Sequence, residues 1–449
     1  MAPSADAASG ARAYRGALLR FRGDPGASED PSAYEYFDDA VMLVEEGLIR
    51  RVGPAETVLP DVPDGTPVTP HPGALLVAGF IDAHIHYPQL DVIASGGRAL
   101  LDWLRDHTFP EEARFADAAH AAAVAERFLD ELLRNGTTTA LVFCTVHPQS
   151  VDAFFAAAER RGLRMIAGKV LMDRNAPEDL RDDAIGGIEE SRRLLERWHG
   201  RDRLAYAITP RFAPTSSTRQ LAGAGRLAAE YPEAYVHTHL AENRAEIAWV
   251  RELYPEAAGY LDVYARHGLL RSRSVYAHCI HLEDDERRRM ARAGAAAAFC
   301  PSSNLYLGSG LFDLEASDAA GLRYAIASDV GGGTSFSPLR SMADAHKVAQ
   351  LRGQHLPPLR AFYLASRGAA RCLDLEHRVG TLAEDSEADF VLLDLEATPL
   401  IARRTAAART LSDKLRVLMT LGDEHCIRAS FSAGRPQYVA GTHARSYPS

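Results

Sequence analysis

From residue 75 onward, short unbroken apolar runs alternate with longer stretches in which apolar residues return every three or four positions. The short runs fall at 75–81, 137–143, 163–171, 204–208, 234–240, 274–279, 295–300 and 322–328. Continuous hydrophobicity over so few residues suits strands that are covered on both faces. Between the first two runs, 118–134 predicts a helix with Val124, Phe128, Leu129, Leu132 and Leu133 on its buried face and Gly136 as terminal cap. Residues 150–161 predict another, closed by Gly162. About eight strand–helix units over roughly 300 residues predict an α/β fold, a (β/α)8 barrel of the TIM type. A doubly wound open sheet shows the same alternation, but no Gly-x-Gly-x-x-Gly opens a helix after a strand.

The texture differs at both ends of the chain. Residues 14–21 and 38–45 read as strands, 47–53 follows with a glycine at either end, and 61–72, rich in Pro, Gly and Thr, reads as a connection. Two helical stretches, 337–351 and 358–373, close the alternating region. Beyond them 380–389 reads as a turn, and 390–394, 428–431 and 437–439 read as strands. Neither end has enough strands to close a sandwich alone, so the two are expected to build one small β domain together. The expected division is 1–74 and 376–449 for that domain and 75–375 for the barrel.

Composition narrows the function classes. The 449 residues can bury a large core, and 47% hydrophobic with 24% charged is ordinary for a globular protein. A net charge of -10 disfavours a phosphate-backbone binder, whose affinity rests on clustered Lys and Arg, so no nucleic-acid partner is expected. No apolar run approaches membrane-spanning length, and residues 1–10 lack the charged-then-apolar order of a signal peptide. Cys144, Cys279, Cys300, Cys372 and Cys426 are scattered without a Cys-x-x-Cys pair, which fits reduced thiols and a cytoplasmic location.

Chemistry gathers at the predicted strand ends. His84 and His86 stand two residues apart, a spacing that puts both side chains on one face of a strand and within reach of one cation. Such a pair alone reads more readily as two core histidines. Arg211-Phe212 follows the fourth strand, His237, His239 and Glu242 lie at the end of the fifth, His278 ends the sixth and Asp329 the eighth. In a parallel α/β fold those ends form one mouth, and buried ionisable groups are costly unless paired or metal-bound. The set points to a site where no single member does.

These motifs, Gly79-Phe80-Ile81-Asp82-Ala83-His84-Ile85-His86, His239-Leu240-Ala241-Glu242-Asn243-Arg244, His278 and Ser328-Asp329-Val330-Gly331-Gly332-Gly333, resemble the amidohydrolase superfamily in its mononuclear zinc deaminase branch. Leu101-Asp102-Trp103-Leu104, Thr108-Phe109-Pro110, Thr209-Pro210-Arg211-Phe212 and Cys300-Pro301-Ser302-Ser303-Asn304-Leu305 extend the resemblance, and Pro88-Gln89, Trp103 and Arg211-Phe212 narrow it to the guanine deaminase family. It covers the barrel, and the flanking segments fit that family's small domain.

The resemblance implies hydrolytic deamination of guanine to xanthine and ammonia, with guanine and water as partners, one Zn2+ per chain and a homodimer. It implies His84, His86, His239 and Asp329 as metal ligands, with one position left for water. Glu242 would be the general acid and base, His278 would stabilise the tetrahedral centre, and Asp329 would share in proton transfer. Gln89, Arg211 and Phe212 would hold the purine beside Trp103, lined also by His86, His239, Glu242 and Asp329. Adenine, lacking the carbonyl, is expected to leave the Arg211 charge unpaired in a dry pocket.

Several residues remain open in the sequence. His237 reads as a core histidine behind the site, and Lys169 lies in a strand rather than at the fourth strand's end, where a lysine bridging two metals would be expected. Asn304 reads as a turn residue or a substrate contact, and Cys279 after His278 is unusual for the family. Gly331 to Gly333 lacks the Lys-Ser/Thr that would complete a phosphate cradle. The same chemistry on 8-oxoguanine, a pterin or a triazine is the nearest alternative. A structural metal site needs no general base, which Glu242 supplies. A nucleic-acid deaminase would show His-x-Glu with Pro-Cys-x-x-Cys, absent here.

Overall fold

In the computed structural model the described residues are 10–96 and 100–441, so residues 1–9 of the leading stretch and the last few positions of the C-terminal segment lie outside them. The N-terminal strands are β1 (Arg12–Phe21), β2 (Tyr34–Glu45), β3 (Leu48–Pro54) and β4 (Val68–Ala78). The middle of the chain contributes β5 (Phe80–His86), β6 (Thr137–Phe143), β7 (Arg164–Gly168), β8 (Val170–Leu171), β9 (Ala205–Pro210), β10 (Tyr235–Leu240), β11 (Ser274–His278), β12 (Ala296–Phe299) and β13 (Arg323–Ile326). The C-terminal part adds β14 (Phe390–Asp394), β15 (Ile427–Ser432) and β16 (Arg435–Val439).

Two sheets result. The middle strands pair in parallel from β5 to β13 in chain order, with β7 and β8 both pairing with β9 as one interrupted strand. The barrel closes beyond the end of β13: Asp329 N–H donates to His84 O at 3.0 Å, and His86 N–H donates to Val330 O at 2.8 Å. Inside, Ile81, Ala83, Leu141, Ile166, Ala207, Val275, Ala296, Ala298 and Ala325 pack together, mostly small side chains in a narrow lumen. The second sheet is mixed and runs β16-β15-β14-β4-β1-β2-β3, so both chain ends build it. Its join is β14 antiparallel to β4, with Phe390 opposite Ala78.

The apolar run 75–81 is two strands rather than one. Leu75 to Ala78 end β4 in the mixed sheet, and the barrel strand begins at Phe80. Gly79 is the switch: its N–H donates to Asp389 O at 2.9 Å, while the next N–H, of Phe80, donates to Gly136 O at 3.0 Å. A Cβ at Gly79 would stand 2.0 Å from Thr138 Oγ1, so the crossing between sheets requires glycine. Residues 68–72, expected as connection, are also strand. That part of β4 pairs only with β1, so Pro70 and Pro72 remove no hydrogen bond from a second neighbour.

Helices follow the expected faces. Ala118–Arg134 buries the five predicted residues, and Pro148–Arg161 ends at Gly162 with φ 65°. The single helix expected over 358–373 is broken into Pro358–Leu364 and Arg367–Cys372, because the Ala365 carbonyl turns to accept Ile81 N–H at 2.9 Å under the barrel. Two helices, Pro399–Ala406 and Leu411–Leu421, lie where no element was expected.

Candidate active site

The barrel strands bring the polar residues to one mouth by a local irregularity as well as by topology. Along β5, Ile81 and Ala83 pack in the lumen and Ile85 packs outside. The register with β6 slips between Asp82 and Ile85, a bulge that re-aims the end of the strand. His84 and His86 consequently share the inner side, their Nε2 atoms 3.2 Å apart. Asp329 Oδ1 lies 3.1 Å from His84 Nε2 and 3.3 Å from His86 Nε2. His84, His86, His239 and Asp329 each offer a ligand atom within 4.8 Å of the others.

The far sides of the rings are held by the protein. His239 Nδ1 donates to Arg211 O at 2.7 Å, leaving Nε2 unprotonated. His84 Nδ1 is 2.8 Å from Nε2 of His237, which is fully buried, so His237 acts on the ring of His84. Burial lowers His86 to about 4 and His239 well below its ordinary value. Burial opposes ionisation of Asp329, yet His84, His86 and His278 hold it well below the usual carboxylate range. Neutral imidazoles and an ionised carboxylate are the protonation states that cation ligands need. With three nitrogen donors and one oxygen donor, the set suits a borderline-soft divalent cation.

Beside this cluster stands a carboxyl that is not part of it. Glu242 Oε2 lies 3.3 Å from His278 Nε2, and Oε1 accepts from Ser309 Oγ at 2.9 Å. Burial, then Glu246 and Asp329, raise the Glu242 carboxyl well above its ordinary range. Its backbone is fixed from behind, since Glu246 Oε2 accepts the N–H groups of Glu242 and Asn243 at 3.0 and 3.1 Å. Asn304 Nδ2 donates to His278 Nδ1 at 2.9 Å, which leaves the His278 proton on Nε2, facing Glu242. Asn304 thus supports His278 from the helix Pro301–Tyr306 rather than serving as a turn residue. Burial takes His278 down to about 3, so it is a neutral donor. Ala241, His278, Cys279 and Asp329 adopt φ between 51° and 70°, strain concentrated at the strand ends.

A pocket opens over these groups. It is lined by His86, His239, Glu242, His278 and Asp329 together with Gln89, Trp103, Arg211 and Phe212. Every residue singled out in the sequence for metal, catalysis or substrate is therefore at this mouth, His84 lying just beneath it. Trp103 Nε1 donates to Ser95 Oγ at 2.9 Å, which fixes the indole at the rim. Gly331 N–H donates to Gln89 Oε1 at 3.1 Å, and a Cβ on Gly331 would stand 2.6 Å from Gln89 O. The glycine run packs against this wall instead of cradling a phosphate.

One reading changes, and two residues left open find their places. The Arg211 charge is not free to go unpaired, because Nη1 donates to Glu112 Oε2 at 2.6 Å with both side chains buried. Rejection of a ring without the carbonyl must rest on the remaining Arg211 donors. Lys169 pairs with Asp182 at 2.7 Å, which assigns it to the barrel wall. Cys279 Sγ turns to Tyr276 O, away from the cluster. Sequence reasoning missed Ser309 and Glu112. Both act across long chain separations, and only a polar residue beside an apolar run marked either.

The Amidohydrolase family profile matches residues 75–433. The chain is 47% identical over 428 residues to the guanine deaminase of Escherichia coli (strain K12), covering 95% of this chain and 98% of that one. The solved structure titled E. coli Guanine Deaminase superposes with a TM-score of 0.94 at 47% identity over 96% of this chain and 100% of that chain. A guanine deaminase from C. acetobutylicum with bound guanine in its active site gives a TM-score of 0.86 at 26% identity, over 96% and 100% of the two chains.

Proposed function

The chain belongs to the amidohydrolase family, and we propose from that premise that it catalyses the hydrolytic deamination of guanine, giving xanthine and ammonia. One observation carries the reading: Gln89, Arg211 and Phe212 line the same pocket as Glu242 and three of the four cluster residues, His86, His239 and Asp329. Similarity to guanine deaminases over nearly the whole chain supports it. His84, His86, His239 and Asp329 would hold one Zn2+, a cation that lowers the pKa of water toward neutrality and polarises the reacting carbon.

The residues then divide the work. Arg211 only donates, and suits the ring carbonyl or an acceptor nitrogen; Gln89 both donates and accepts. Phe212 covers the ring face. Together they turn the amine-bearing carbon of guanine toward the cluster. Glu242 accepts a proton from the attacking water and returns it to the departing amine nitrogen, a role supported by its place in the pocket lining beside the ligand cluster. His278 Nε2–H donates to the oxygen that the attacking water brings to the tetrahedral carbon. Leu100, Leu104 and Leu307 add apolar side chains to the rest of the lining. We take the working unit to be a homodimer in the cytoplasm, a state that light scattering tests directly.

The test is ammonia release across a purine, pterin and triazine panel, with metal analysis of the same preparation. Guanine is expected to lead the panel, with about one zinc per chain. Full metal content in His84→Ala would overturn the ligand assignment, and a panel led by another ring would overturn the substrate.

A further inference from the structure

We propose that Glu112 is a positioning residue that sets the hydrogen-bond pattern of the ring-recognising wall; the inference rests on the guanine reading. Glu112 is 1% exposed and sits in the short helix Phe109–Ala113, carried on the excursion between β5 and β6. Each of its oxygens takes one partner. Oε1 accepts from Gln89 Nε2 at 2.9 Å, and Oε2 accepts from Arg211 Nη1 at 2.6 Å. Gln89 and Arg211 line the pocket, whereas Glu112 lies behind them.

The consequence is directional. With Gly331 N–H on Oε1 and Glu112 on Nε2, the Gln89 amide is locked in one of its two orientations. A flip would set the amide NH2 against the Gly331 N–H and its oxygen against a carboxylate. What remains for a ligand is one Gln89 N–H, one lone pair on its oxygen and the unused donors of Arg211. The guanidinium is restrained a second time by the same turn, since its carbon lies 5.3 Å from the Phe109 ring centroid. Glu112 also neutralises Arg211, so the wall meets an uncharged ring as a fixed array of donors and not as a bare cation.

Glu112→Gln is the first test. A glutamine offers one acceptor where two are needed, so Arg211 or Gln89 loses its partner and Gln89 becomes free to flip. Glu112→Asp is the second: it keeps the charge that stabilises buried Arg211 but is one methylene too short to bridge both partners. Each is assayed for KM and kcat on guanine, for the inhibition constant of the carbonyl-free ring 2-aminopurine, and for metal content and melting temperature. The expected result is a rise in KM for guanine of about tenfold or more with kcat changed less than about threefold, because the lost contacts are uniform binding contacts. The 2-aminopurine constant should change less than KM for guanine, and metal content should stay whole.

A KM within about twofold of wild type in both variants would overturn the proposal. So would equal losses toward both rings accompanied by a falling melting temperature, the signature of a merely structural residue. Wild type releasing no ammonia from guanine would instead sink the guanine reading, and that control is run first.

Discussion

Nδ1 of His84 lies 2.8 Å from Nε2 of His237, with both rings buried and nearly perpendicular at an interplanar angle of 86°. As a cation ligand, His84 Nε2 would carry no proton, which puts the ring's proton on Nδ1, directed at His237. The ring behind the cluster therefore fixes the tautomer and tilt of the ring inside it. His237 in turn packs on Phe143, with centroids 4.3 Å apart. On sequence His237 is one of two histidines on one strand face; in space it serves the other strand's ligand.

Removing that support should loosen the metal without removing a ligand. His237→Phe is expected to fold, because the aromatic ring replaces the imidazole against Phe143. Metal affinity should fall about 10–100-fold, the usual cost of losing an outer partner. Competition with a chelator checks this; an unchanged zinc constant would detach His237 from the site.

Glu242→Gln should keep metal and guanine binding and lose turnover, since an amide cannot take and return a proton. General acid and base groups contribute about 10²–10⁴-fold, so a loss below about tenfold removes Glu242 from the mechanism. Single-turnover assays separate this from slow product release.

Ser309→Ala removes the hydrogen bond to Glu242 Oε1. That bond favours the ionised carboxylate, against the burial that raises it. Without it the Glu242 carboxyl rises further, and the ionised form needed to accept the water proton appears only at higher pH. The acid limb of kcat/KM should move to higher pH with a loss of roughly tenfold at neutrality. A pH–rate profile superimposable on wild type would exclude the Ser309 contact from catalysis.

Guanine is expected to be deaminated and adenine not, by a factor of about 10⁴ or more in kcat/KM. Because Glu112 already pairs Arg211, the penalty comes from Arg211 and Gln89 donors left without an acceptor on the adenine ring. Arg211→Lys, which keeps the charge beside Glu112 but loses the guanidinium's further donors, should raise KM for guanine and narrow the ratio. Rates for the two purines within about tenfold in wild type refute this pocket.

Glu246 carries a pH dependence of stability. Burial raises its carboxyl from 4.5 to about 7, against hydrogen bonds from Tyr260, Asn243 and Glu242. The folded protein thus holds a proton that the unfolded chain releases near 4.5. The stability this supplies is present in full below about 4.5 and lost as pH rises through 7, about 3 kcal/mol across the window. Glu246→Gln imitates the protonated group, so wild-type stability measured against that variant should decline across the same window. Parallel denaturation curves at pH 5 and pH 8, to either side of about 7, would count against it.

The chain by itself determined what depends on near neighbours. Short unbroken apolar runs marked the barrel strands, the spacing of His84 to His86 and of His239 to Glu242 placed each pair at one strand's end, and apolar periodicity marked the face of Ala118–Arg134. Those patterns repeat within a few residues, the range over which a strand or helix fixes direction. Hydrophobicity records that a residue is buried but not against what. For that reason 75–81 read as one strand although Gly79 passes the chain from one sheet to the other. Tertiary structure alone decided the bulge that turns His84 and His86 inward, the His84–His237 contact, and the Gln89–Glu112–Arg211 chain, whose last link joins residues 99 positions apart. Each depends on which strand ends and excursions become neighbours around the closed barrel, and no local periodicity encodes that adjacency.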